Sequence, residues 1–205
     1  MNIPRHKVFI SYYHHDDQYY KNELLRLNNY YNFFDDYSVH ENEINDDNLS
    51  SESIRRIIRD DWMQNATVLL LLCGQNTKKR KHIDWEIHTA MYDSKTNPQM
   101  GIVVVNLPTI SQTQRSTGND DKQYFGYGIN WVASSRDRTI LEQDYPYMPS
   151  RIIDNFEKSD VHIPVVNWSI ISNDYNNLAG LIDIAYNKRS LNHYDHSTPL
   201  RRNNS

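Results

Sequence analysis

The chain holds a single cysteine, Cys73, so it cannot build a disulfide framework, and this usage fits a reducing compartment. No apolar stretch of the signal-peptide kind follows Met1. The longest apolar runs, 68–73 and 102–105, fall far short of the roughly 20 residues that span a bilayer. The expectation is a soluble, cytoplasmic protein without a membrane partner. A basic excess is also missing. The net charge is −4, which argues against nucleic acid as the main partner. No GxGxxG, Walker or GxSxG pattern occurs, which removes the support for dinucleotide oxidoreductase, NTPase and α/β-hydrolase chemistry. No HExxH pattern or cysteine pair occurs either. The pairs His82/Glu86 and Asp84/His88, each four residues apart, therefore read as helix-surface pairs, and no metal or resident cofactor is expected. No internal repeat is visible.

The 205 residues suffice for one sizeable core. Tyrosine dominates the aromatics, with 15 residues against 5 Phe and 4 Trp, and suits either clefts and interfaces or half-wet surface packing. Apolar runs at 8–10, 66–73, 101–107 and 163–168 predict strands, and a weak one is placed at 37–40. The runs at 66–73 and 101–107 are continuous, as in strands buried on both faces of a parallel sheet. Between them lie helical patterns. Residues 17–30 carry Leu24, Leu25 and Leu27. Ser50 or Ser51 caps a helix bearing Ile54, Ile57, Ile58 and Trp62. Residues 83–92 carry Ile83, Ile87, Ala90 and Met91, and residues 174–188 carry Leu178, Leu181, Ile182 and Ala185. Alternating strands and helices predict an α/β fold, a flavodoxin-like open parallel five-stranded sheet of order 2-1-3-4-5 with helices on both faces. One domain is expected over 1–191. Within it, 109–150 is too long for an ordinary connection and is expected as a functional loop, a lid or a locally ordered insertion, and 192–205 as a disordered tail.

In such a sheet ligands bind beyond the carboxyl ends of the strands, where the strand order reverses. That crevice brings together Ser11-Tyr12-Tyr13-His14-His15-Asp16-Asp17 and Cys73-Gly74-Gln75-Asn76-Thr77, followed by the basic run Lys78-Lys79-Arg80-Lys81. The basic run reads as a solvated loop or as a contact for a phosphate-bearing ligand. Asp16 and Asp17 read better as a helix start than as a cation site. Cys73, beside buried leucines, reads as an inert core thiol. Glu86 sits near the start of its helix, at the edge of the apolar face, bordering core and cleft. Two readings stand: complementation of the helix dipole, or a fixed carboxylate facing a developing oxocarbenium ion.

The run Lys7-Val8-Phe9-Ile10-Ser11-Tyr12 resembles the first box of TIR domains. Asn65 through Leu72 resembles their third strand, and Thr77 through Ala90 resembles the segment that carries their catalytic glutamate. Within the superfamily the likeness is greatest to the bacterial TIR-like group that includes the ThsB proteins of Thoeris anti-phage defence. It covers residues 7–107. The resemblance implies an NAD glycohydrolase or ADP-ribosyl cyclase with NAD as substrate. Its cyclic ADP-ribose-type product would be a diffusible signal to a separate effector, with a phage-derived trigger and a homo-oligomer as further expectations. It makes Glu86 the catalytic residue. Ser11, Tyr12, Tyr13, His14, Cys73, His82 and Trp85 are the expected substrate-binding residues. Two features depart from the family pattern. His82 stands where many enzymatic members have Trp, and the loop around 41–48 carries Glu41, Glu43, Asp46 and Asp47 in place of a Pro-Gly signature. The acidic loop argues against a receptor-style adaptor interface, while the missing upstream Trp and the tyrosine-rich, aromatic 109–150 insertion motivate the competing expectation of a non-enzymatic TIR-like interaction or scaffold module. A nucleotide sensor without turnover is a third reading.

Overall fold

A computed structural model describes residues 3–38, 49–63, 65–95, 97–115 and 135–204. Five strands lie among them: β1 (Lys7–Ser11), β2 (Asp35–Asp36), β3 (Val68–Cys73), β4 (Gly101–Asn106) and β5 (Val165–Asn167). All pair in parallel, in the order β2-β1-β3-β4-β5. Every side chain of β3 and β4 is buried, as their unbroken apolar runs require. The two-residue period of a strand divides this surface between two layers. Phe9, Leu69, Leu71, Ile102 and Val104 pack with Ile54 of α2 (Ser51–Ile57), Ile83 and Ile87 of α3 (Lys81–Met91), and Leu141 of α4 (Arg138–Asp144). Ile152 and Phe156 of α5 (Ser150–Phe156) complete that layer. On the opposite face Ile10, Leu70, Leu72, Val103 and Val105 pack with Leu24 of α1 (His14–Tyr31) and with α7 (Tyr175–Lys188). The short α6 (Trp168–Asn173) adds Ile171 to this second layer. The expected fold class, strand order and two-sided helical cover are all present.

Local chemistry sets the boundaries. Ser50 caps α2 by accepting the Ser53 amide at 3.1 Å, and Asp174 caps α7 through the Asn176 amide at 3.0 Å. At the end of α1, Asn32 adopts a left-handed conformation with φ of 53°. The buried Asn28 side chain accepts from the Phe33 and Phe34 amides and donates to the Phe34 carbonyl, each at 3.0 Å. This fixes the chain's entry into β2. The weak strand expected at 37–40 lies earlier, at Asp35–Asp36. Tyr37 makes the last backbone bond to β1, through its amide to the Val8 carbonyl. The Ser38 hydroxyl then accepts the Ile10 amide at 2.8 Å and occupies the place of the next ladder bond.

One larger expectation needs correction. Residues 192–204 do not lie loose. Tyr194 and Leu200 are 7% and 6% exposed, and both join the core layer beneath α3 and α5. Parts of the 109–150 stretch likewise build core. Arg115 bridges to Val165 in antiparallel fashion, and Leu141, Tyr145 and Met148 are buried against the sheet layer. Positions 116–134 of that insertion and the loop at 39–48 lie outside the described residues. No helix among the described residues is long and apolar enough to cross a membrane.

Gly101 opens β4 directly under α7, where an added Cβ would lie 2.3 Å from the Ala185 carbonyl oxygen. Backbone of this kind cannot swing aside as a side-chain tip would. Gly101→Ala is expected to lower unfolding stability by about 1–3 kcal/mol, as overpacking does, read as a fall in urea midpoint at constant slope.

Candidate active site

The crevice forms where the strand order reverses. Ser11, the last residue of β1, is in register with Leu71, and β3 continues two residues beyond it. The chain then turns through Tyr12 and Tyr13 into α1, and through a 3-10 turn, Thr77–Lys79, into α3. The two loops are bonded to each other. Asn76 donates to Asp16 at 2.7 Å, and the Arg80 guanidinium lies 3.8 Å from the centre of the Tyr13 ring.

Glu86 lies in the second turn of α3, partly buried. The favourable field of a helix N-terminus fades within the first turn, where Asp84 already stands. Dipole complementation therefore falls to Asp84 and does not account for Glu86. The Glu86 carboxylate instead accepts a 2.5 Å hydrogen bond from the buried Ser11 hydroxyl, 75 residues away in sequence. Such a short bond to a carboxylate is of the charge-assisted kind.

Two cavities meet at this carboxylate. One, of about 190 Å³, is lined by Gln18, Lys21, Asn22 and Ser38; the other, of about 260 Å³, is lined by Tyr13, His14, Arg80 and His82. Tyr12, Trp62 and Glu86 belong to both, so they form the septum of one bilobed cleft. The arrangement offers an anionic centre flanked by two aromatic faces, with a cationic, donor-rich lobe on one side.

Comparison with known families bears on this site. Residues 9–112, just over half of the chain, match the model of the TIR-like domain of the Thoeris protein ThsB. The chain belongs to that family. It is thus a TIR-like protein of Thoeris anti-phage defence. No curated protein matches it. The segment shared with the ThsB family contains both crevice loops, the helix of Glu86, the end of β1 and all of β2, β3 and β4.

Of the residues expected at the site, Ser11, Tyr12, Tyr13, His14 and His82 do surround Glu86. Trp85 and Cys73 do not line the cleft. Successive helical residues are about 100° apart, so Trp85 turns away from Glu86. It is fully buried and donates its indole N–H to the Arg201 carbonyl at 2.7 Å. Cys73 shares the strand face of Leu69 and Leu71 and donates to the Tyr147 carbonyl at 3.4 Å. Burial pushes its thiol up to about 12, so it stays protonated.

Sequence reasoning overlooked Trp62, Gln18 and Lys21, and named Arg80 only as one member of the basic run. Trp62 was assigned to the apolar face of α2, but a π-helical turn, Ile58–Trp62, follows that helix. Its Met63 amide bonds the Ile58 carbonyl, and Trp62 lands at the cleft. The basic run divides. Arg80 faces the cleft, Lys81 lies beside the Trp85 ring, and Lys78 and Lys79 line a separate cavity with Arg138 and Arg201.

Beneath the loops Asp17 is 1% exposed, and a Cβ on Gly74 would fall 2.4 Å from its Oδ1. Among the described residues its Oδ2 accepts only a long 3.5 Å contact from Thr77. Burial first, and then the charge of Asp16, push its carboxyl from 3.8 up to about 6. A raised pKa penalises the ionised folded form. This contribution to stability is complete below about pH 4 and is lost as pH rises toward 6. Asp17→Asn is therefore expected to be more stable than the parent by about 1–3 kcal/mol above pH 7. The gap should close near pH 4, as measured by urea unfolding at the two pH values.

Proposed function

We propose that the protein cleaves the bond between nicotinamide and ribose in NAD and passes the ADP-ribosyl group into a cyclic ADP-ribose-type signal for a separate defence effector. The reading rests on one observation above all, the Glu86 carboxylate held by Ser11 at the centre of a bilobed cleft at the β1/β3 switch point. Membership of a Thoeris TIR-like family supports it.

In this reading Glu86 accepts hydrogen bonds from the ribose hydroxyls and sets a negative charge against the cation that develops at C1′. The electron pair of the breaking C1′–N bond goes to the pyridinium, so nicotinamide leaves neutral and needs no strong general acid. Capture of C1′ by water gives ADP-ribose and a proton. Capture by a nucleophile of the same molecule, which loses its proton, gives a cyclic ADP-ribose that lacks the water taken up in ADP-ribose. Tyr12 and Trp62 offer faces on which a nicotinamide or adenine ring can stack. Arg80 and His82 give one lobe the donors that a diphosphate requires. Lys21, 6% exposed and 4.9 Å from the Tyr12 ring centre, braces the septum from the other lobe.

The test is nicotinamide release and product analysis with purified protein and NAD, alone and with lysate of phage-infected cells. Glu86→Gln keeps the shape and one acceptor oxygen but removes the charge and replaces the other oxygen with a donor. It is expected to lower turnover about 10²–10³-fold, the usual cost of one electrostatic group aimed at a transition state, with NAD affinity changed far less. Undiminished activity in Glu86→Gln, or no turnover by the parent protein under either condition, overturns the reading.

A further inference from the structure

Segment 192–204 forms a strap from the amino ends of β4 and β5 to the cleft, and discrete bonds hold it along the way. The Asp195 amide donates to Asn155 at 2.8 Å, and Arg151 donates to the Thr198 and Pro199 carbonyls at 3.0 and 3.2 Å. The segment then crosses the start of α3. The Arg201 amide donates to Asp84 at 2.9 Å, its carbonyl accepts from Trp85, and its guanidinium reaches the Lys78 carbonyl at 2.7 Å. Arg202 ties the same segment to the start of α2, through the Leu49 carbonyl and the Ser51 hydroxyl, both at 3.1 Å.

The last link matters most. Arg80 occupies the N-cap position of α3 and makes no side-chain cap bond. The side-chain oxygen of Asn204 supplies the cap instead, accepting the Lys81 amide at 2.9 Å across 123 positions of sequence. An N-cap asparagine normally lies in the helix's own chain just ahead of it; here it arrives from the far end of the strap. With Oδ1 committed to the helix, the exposed Nδ2 has no partner among the described residues. Asn204 also lines the lobe that holds Arg80, His82 and Glu86.

We infer that Asn204 has two roles: it caps the helix that carries Glu86, and its Nδ2 donates to an oxygen of the ligand held beside Arg80. The diphosphate of a dinucleotide is the chemical class that fits, because the neighbouring donor is a guanidinium. The ligand's identity rests on the proposed NAD reading; the cap does not.

Two substitutions separate the roles. Asn204→Ala loses both. Asn204→Asp keeps an oxygen for the Lys81 amide but replaces the Nδ2 donor with an acceptor. Amide hydrogen exchange over 81–86 is expected to quicken about tenfold or more in Asn204→Ala and to stay at the parent rate in Asn204→Asp. Calorimetric binding of ADP-ribose, which lacks the bond to be cleaved, is expected to weaken about tenfold or more in both variants, the size of one lost charge-assisted donor. Unchanged exchange in Asn204→Ala overturns the cap. Parent-like ADP-ribose affinity in Asn204→Asp overturns the ligand contact. A parent protein that binds neither ADP-ribose nor NAD overturns the proposed function and the ligand contact with it, while the exchange measurement still decides the cap.

Discussion

Three consecutive side chains of α3 point in three directions, and the buried pair between Asp84 and Arg151 fixes which goes where. Arg151 is 1% exposed, and its guanidinium meets both Asp84 oxygens, at 2.9 and 3.1 Å. Two planar groups joined in this way allow little rotation. With Asp84 held by α5, Trp85 turns into the core and Glu86 turns toward Ser11. The pair is not isolated in a dry interior. Backbone carbonyls of Thr198 and Pro199 and the amide of Arg201 occupy further sites on the two partners. That satisfaction decides whether burying such charges is tolerable. The orientation of the candidate catalytic carboxylate thus depends on an ion pair on the opposite side of the helix.

The same geometry explains what sequence could disclose. Strands β3 and β4 were legible because burial on both faces leaves an unbroken apolar run. The crevice followed from strand order, and so did the meeting of Glu86 with the loop after β1. The role of Trp85 was not legible from periodicity. Ile83 and Ile87 define one apolar face, and position 85 lies nearly opposite them. A one-sided amphipathic helix would expose it. Here α3 is covered twice, by the sheet on one side and by α5 and the strap on the other, so both faces are buried.

The strap itself gave little signal for a related reason. Its composition is polar, and only Tyr194 and Leu200 anchor it in apolar core. Order there comes from individual hydrogen bonds to partners far away in sequence, such as Asn155, Asp84 and Lys81. No local pattern encodes such partners. Trp62 escaped notice through a different cause. A π-helical turn depends on what the helix end must fit, and it re-aims the residue at its end without altering the spacing of apolar residues.

The division of labour along the chain has a consequence for the family. The matched segment, 9–112, contains Ser11, Trp62, Arg80 and Glu86, so the septum and floor of the cleft are built within it. Arg151, Arg201 and Asn204 lie beyond it. The candidate site and the frame that orients it therefore come from different parts of the sequence, joined at the first turn of α3. Substitutions in the frame leave every residue of the matched segment in place, yet they act on the helix that carries Glu86. A shift of that helix by even an ångström would lengthen the 2.5 Å contact with Ser11 beyond hydrogen-bonding range. The cleft can thus be held in the matched segment while the frame tunes how firmly the carboxylate is presented.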